Sequence, residues 1–132
     1  MLKFIIPWVS VVAKYTDAPF TILTKIRQSD NDVEVSIPYF EKFKDATPVL
    51  LDDIISTAHT MLETIGHHKN EGMKPPICIG ILAAFSGNAY QESKDADVAE
   101  IVTCNTIPHA SNVIDLTDIM AKEIKNLISN LY

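Results

Sequence analysis

The segment from Pro48 to Thr64 constrains the fold more than any other part of this chain. PVLLDD is a short unbroken apolar run that ends in two carboxylates, Asp52 and Asp53. A polar turn follows, Ser56-Thr57-Ala58-His59-Thr60. A helical pattern then runs from about Ala58 to Glu71, with Met61, Leu62 and Ile65 on one face. Thr60 and Glu63 have the spacing of a capping box, and Gly72 is a natural helix stop. Ile77–Ala84 is the next apolar run, and its nearly continuous character suits a strand in a sheet covered on both faces. Buried strand, turn, helix and buried strand in that order make a βαβ unit, and such units build parallel sheets.

The rest of the chain extends this pattern. Leu2–Ile6 reads as a strand, and Pro7 can open a short helix over Trp8–Tyr15. Phe20–Thr24 reads as a second strand, Lys25–Asp32 as a polar loop, Val33–Ser36 as a minor strand and Pro38–Asp45 as a connection. A short helix is expected over Gly87–Ser93 and a strand over Glu100–Asn105. Thr117–Leu131 closes the chain as an amphipathic helix, with Ile119, Met120, Ile124, Leu127 and Ile128 expected to face inward. The expected fold is α/β: a three-layer, open, mostly parallel sheet of about five strands flanked by helices. It forms one domain over residues 1–132. A chain of this length buries roughly two-thirds of its unfolded surface and needs no disulfide or metal staple.

Composition excludes some partners. The 11 basic and 17 acidic residues leave a net charge of −6, which disfavours non-specific binding to nucleic acid or to an anionic membrane surface. The apolar run from Ile77 to Phe85 falls far short of the ~20 residues needed to span a bilayer. The apolar start is broken by Pro7 and lacks a small-residue cleavage pattern. Cys78 and Cys104 each sit inside an apolar segment, and two buried free thiols fit a reduced, cytoplasmic protein.

In open parallel sheets, ligands bind at the carboxyl ends of the strands. The turn after Asp53 supplies hydroxyls from Ser56, Thr57 and Thr60, and the free N–H groups of a helix start. Both suit a phosphate monoester. Two adjacent carboxylates repel a bare phosphate, but they bind sugar hydroxyls or hold a divalent cation that in turn meets phosphate oxygens. The residues therefore fit a sugar-phosphate site. They also fit a strand end followed by a helix cap with no ligand, because Asp, Ser and Thr are common at such places.

The stretch VLLDDIISTAHTM resembles the ribose-phosphate loop of the type I phosphoribosyltransferase fold. The ordered set DAPFTILTKIR, DVEVSIP, TPVLLDDIIST, FSGNAY and EIVTCNTIPHASNVIDLTDIMAKEI is similar to the C-terminal domain of the ribose-phosphate pyrophosphokinase family. The resemblance covers the chain from about Trp8 to Ile124. It implies transfer of the β,γ-diphosphoryl group of ATP to the 1-hydroxyl of ribose 5-phosphate, with Mg²⁺. It also implies that Asp52 and Asp53 meet the ribose hydroxyls and the metal shell. Ser56, Thr57, Ala58, His59 and Thr60 would form the 5-phosphate loop. Lys25 and Arg27 match the basic pair of the family's mobile catalytic loop. Taken alone they would read as a solvated charge pair, but cations that close over a triphosphate suit phosphoryl-type transfer.

Three departures stand beside that resemblance. Many relatives have glycine where this chain has His59. Relatives have a longer loop, with an acidic residue after the proline, where Pro7 here runs directly into Trp8. Relatives also carry an N-terminal domain that supplies most of the adenine pocket, a metal-binding histidine and much of the oligomer contact; no segment here matches it. His67 and His68 read as a cationic helix end rather than as its replacement. His109, in the TIPH segment, fits turn structure or ligand contact. The first function expected is therefore a pyrophosphokinase, incomplete as an isolated chain, acting as a homo-oligomer or with a partner that supplies the N-terminal domain. The alternatives are a non-catalytic ribose-phosphate-binding or synthetase-associated module and, more remotely, a phosphoribosyltransferase.

Overall fold

The computed structural model describes residues 8–20, 24–29, 32–36 and 40–131. The strand expected at Leu2–Ile6 lies outside these residues, as do positions 21–23 of the one expected at Phe20–Thr24. Helix α1 spans Trp8–Tyr15, as expected. Strands β1 (Thr24–Ser29) and β2 (Asp32–Ser36) then form an antiparallel hairpin. This confirms the minor strand at Val33–Ser36 and corrects the loop expected at Lys25–Asp32. TKIRQS carries a single large apolar residue, Ile26, so it shows no alternation. Its extended form comes from pairing with β2, where backbone hydrogen bonds are satisfied across the ladder.

The main sheet holds four parallel strands among the described residues, in sequential order: β3 (Val49–Ile55), β4 (Ile77–Ala83), β5 (Glu100–Cys104) and β6 (Asn112–Ile114). Helix α2 (His59–Asn70) connects β3 to β4, and α3 (Ala89–Asp95) connects β4 to β5. The mostly parallel α/β sheet flanked by helices is therefore present. β6 was not anticipated, and at three residues it is too short to carry an alternation signal.

Adjacent residues of a strand point to opposite faces, and β3 uses this to build two cores. Leu50 joins Ile55, Met61, Ile65, Cys78 and Ala89 in one buried cluster beneath α2 and α3. Leu51 joins Val9 and Ala13 of α1 on the other side. Burying each such leucine contributes about 1.5–3 kcal/mol. The sheet thus lies between α1 and the α2–α3 layer. Cys78 and Cys104 are free and buried, and burial pushes the Cys78 thiol up to about 12.

The helix starts and stops are physically legible. Gly72 takes φ +70°, and Met73 N–H donates to the His68 carbonyl at 3.0 Å, closing α2. At the other end, Leu62 N–H donates to the Ala58 carbonyl at 2.8 Å. The helix therefore begins before Thr60, and the Thr60–Glu63 capping box does not form; Ala58 is the cap, without a side-chain cap bond. α3 lies two residues beyond its expected start. Of the two histidines at the end of α2, His68 is fully buried.

The largest correction concerns α4 (Thr117–Ser129). It forms where expected, but it buries none of its residues. Ile119, Met120, Ile124, Leu127 and Ile128, expected to face inward, are between 51% and 64% exposed. Its apolar periodicity is real; what is missing among the described residues is a surface that covers it. No helix among the described residues is long and apolar enough to cross a membrane.

Candidate functional site

β3 delivers Asp52 and Asp53 to the edge of the sheet and ends at Ile55, which is fully buried. Ile55 anchors the loop that follows. Its side chain fills the space above Gly80 of β4, where a Cβ would lie 2.6 Å from Ile55 Cδ1. Gly80 is also the register partner of Asp52. A glycine at this point lets the two strands lie together while Ile55 folds across the neighbouring strand.

The chain then turns at Ala58, which adopts φ +57°, ψ 5°. This left-handed conformation is uncommon for a residue with a Cβ. It swings the backbone from strand into helix, so α2 starts at His59 with its first N–H groups lacking intrahelical acceptors. Ser86 N–H, from the β4–α3 connection, donates to the Ser56 carbonyl at 3.2 Å and ties the two loops together.

The result is an open cleft of about 100 Å³. Asp52, Ser56, Thr57, Ala58, His59 and Thr60 line it. Six of the seven residues expected to form the sugar-phosphate loop are thus brought together. Asp53 is the exception: it is exposed, does not line the cleft, and accepts the Ile54 N–H at 2.9 Å. Asp52 is half-buried, and its carboxyl is pushed up to about 6, first by burial and then by the adjacent Asp53 carboxylate. His59 is largely exposed, and its Nε2 lies 3.3 Å from Glu63 Oε1 one turn along α2. Lys25 and Arg27 fall in β1, opposite Val35 and Val33. Their backbone is part of a strand pair and not of a loop.

A supporting rim lies beyond the ends of β4 and β5, built partly from Asn105, Thr106 and Asp115, to which the sequence motifs assign no individual role. Thr106 Oγ1 donates to the Ile81 carbonyl at 2.7 Å, joining the two strand ends. Asn105 Nδ2 donates to Asp115 Oδ1 at 2.8 Å, and its Oδ1 accepts the Leu116 N–H at 3.0 Å. Hydrogen bonds from Thr117 and then Asn105 hold the exposed Asp115 carboxyl below its usual range. His109 packs against Phe85 and Tyr90, and its Nδ1 accepts the Ser111 N–H at 3.2 Å. Those partners are the turn-forming ones. The available signal was positional: all these residues follow the apolar cores of parallel strands.

A parallel sheet flanked by helices, with one strand running through two aspartates into a hydroxyl-rich turn and a helix start, places this chain in the α/β class. The phosphoribosyl transferase domain family matches residues 6–118, and the chain belongs to that family. Within the class, it is similar to ribose-phosphate pyrophosphokinases. That of Gloeobacter violaceus is 36% identical over 95 residues, covering 72% of this chain and 28% of the relative. That of Campylobacter jejuni is 30% identical over 124 residues, covering 90% of this chain and 40% of the relative. The crystal structure of phosphoribosylpyrophosphate synthetase from Mycobacterium smegmatis shares the fold, with a TM-score of 0.76 at 21% identity. It covers 98% of this chain and 44% of that one. The chain thus spans between 28% and 44% of the length of these relatives.

Proposed function

We propose that this chain is the ribose-phosphate-binding portion of a ribose-phosphate pyrophosphokinase, the enzyme type that moves a diphosphoryl group from ATP to ribose 5-phosphate. The observation that carries the reading is the cleft at the start of α2, where a half-buried carboxylate faces hydroxyls and helix N–H groups. One end of such a cleft suits sugar hydroxyls and the other a phosphate. In this reading Asp52 orients the ribose from the cleft wall and Asp53 assists from its exposed edge. Ser56, Thr57, Thr60 and the backbone N–H groups of Ala58 and His59 hold the 5-phosphate. Lys25 and Arg27 are the cations that, in this reading, stabilise charge on the transferred group. Phosphoryl-type transfer asks mainly for this positioning and charge balance.

Mg²⁺ fits this donor set in one particular way. No group of three or more His, Cys, Asp or Glu side chains that could cage a metal is present among the described residues. Asp52 and Asp53 instead place two negative charges side by side, at a visible cost to the ionisation of Asp52. A divalent ion held by these carboxylates and by substrate oxygens would relieve that repulsion, and this is how Mg²⁺ is usually bound. When bound, it would neutralise phosphate charge.

The whole reaction needs more than this chain. It spans 28% and 40% of the two pyrophosphokinases, which favours an incomplete catalytic unit over a self-sufficient enzyme. The open apolar face of α4 supports association with an N-terminal-domain partner or a second copy. The free thiols support a reducing, cytoplasmic setting. The reading is tested by calorimetry with ribose 5-phosphate against ribose, using the Asp52→Asn/Asp53→Asn double variant as control.

A further inference from the structure

We infer that the apolar stripe of α4 is a self-association surface, on which a second copy of this chain lays its own α4 antiparallel. This narrows the partners named above to one, and it does not depend on the ribose-phosphate reading. α4 follows β6 after two residues, Asp115 and Leu116. That connection is clamped. Asn105 Nδ2 donates to Asp115 Oδ1 at 2.8 Å, and Asn105 Oδ1 accepts the Leu116 N–H at 3.0 Å. Asp115 Oδ1 also accepts the Thr117 N–H at 2.8 Å. The helix therefore leaves the sheet in a set direction, with none of its residues buried.

The stripe has the spacing of a helix-pairing seam. Met120, Ile124, Leu127 and Leu131 recur at alternating steps of four and three, with Ile128 beside them. All five are between 51% and 77% exposed. That leaves roughly 500 Å² open on each copy, so a symmetric pair would bury on the order of 1,000 Å², the lower bound for a specific interface. A second copy suits the seam because the seam complements itself. Run antiparallel, Met120 meets Leu131 of the other helix, Ile124 meets Leu127, and the small Ala121 makes room for Ile128. Glu123, at the edge of the seam, then faces Asn130; a parallel pair would set it against Ile128. Asp118 and Glu123 balance Lys122 and Lys125, so α4 is neutral in a chain of net charge −6. Two copies meet there without net charge repulsion.

Sedimentation equilibrium of the chain from about 1 to about 500 µM tests this, since an interface of this size implies a dimer of roughly micromolar strength. The chain should pass from monomer to dimer over that range. Ile124→Gln/Leu127→Gln should weaken the dimer about tenfold or more, and should leave the melting temperature of the dilute monomer unchanged because neither side chain is buried. Asn130→Lys would face Glu123 of the other copy twice in each dimer. It should tighten the dimer about three- to fivefold relative to Ser129→Lys, which adds the same charge outside the seam. A chain that stays monomeric throughout overturns the inference and leaves the face to a different chain. A dimer unaffected by the double glutamine variant also overturns it. Equal dimer strength in the two lysine variants overturns the antiparallel register. None of these results bears on the ribose 5-phosphate cleft.

Discussion

Asp52 should make the unliganded protein less stable for the sake of its charge, and the size of that effect follows from its position. Burial and the neighbouring Asp53 push its carboxyl from 3.8 up to about 6. Fully buried, such a change would cost about 3 kcal/mol at neutral pH. Asp52 is only half-buried, so solvent screening reduces this to about 1 kcal/mol. The sign follows from proton counting. Between pH 4 and 6 the folded chain holds this proton more tightly than the unfolded chain does. Stability therefore falls as pH rises through that window, and the penalty is complete above about pH 6. Asp52→Asn removes the charge and keeps the shape. It should raise the melting temperature by about 3–5 °C near pH 8, and by much less near pH 4. Thermal unfolding of both proteins across that range, followed by circular dichroism, checks this. An equal difference at both ends, or a loss of stability near pH 8, would refute the argument that Asp52 is strained by desolvation.

Two further outcomes follow from the same geometry. Gly80→Ala should destabilise the fold by about 1–3 kcal/mol in urea unfolding, because the new Cβ would lie 2.6 Å from Ile55 Cδ1 and Ile55 is 1% exposed. In an Ile55→Ala background, Gly80→Ala should cost less than it does alone, whereas strictly additive effects would show that the two residues are not in conflict. The isolated chain should form little or no phosphoribosyl pyrophosphate from ATP and ribose 5-phosphate. Rapid turnover by the 132-residue chain, lost in Lys25→Ala or Arg27→Ala, would contradict the view that it is an incomplete catalytic unit.

The parts legible in the sequence were those with local causes. Leu50 and Leu51, followed by a polar turn and the Met61–Ile65 face, define β3 and α2 without reference to the rest of the chain. The hairpin was hidden because β1 is polar and owes its form to pairing with β2. The α4 face shows the limit of periodicity: Ile124 and Leu127 reveal which side of the helix is apolar, but not whether anything lies against it. The site was legible as a list of residues but not as a shape. Nothing about Ala58 announces a left-handed turn. Nor does the DD pair announce that Asp52 is half-buried while Asp53 is exposed.

The central claim is that the cleft after β3 binds a sugar phosphate, and titration calorimetry with ribose 5-phosphate tests it most directly. The chain should bind ribose 5-phosphate weakly but measurably and give no heat with ribose, and Asp52→Asn/Asp53→Asn should abolish binding. Equal responses to the two sugars, or unchanged affinity in the double variant, would contradict the assignment.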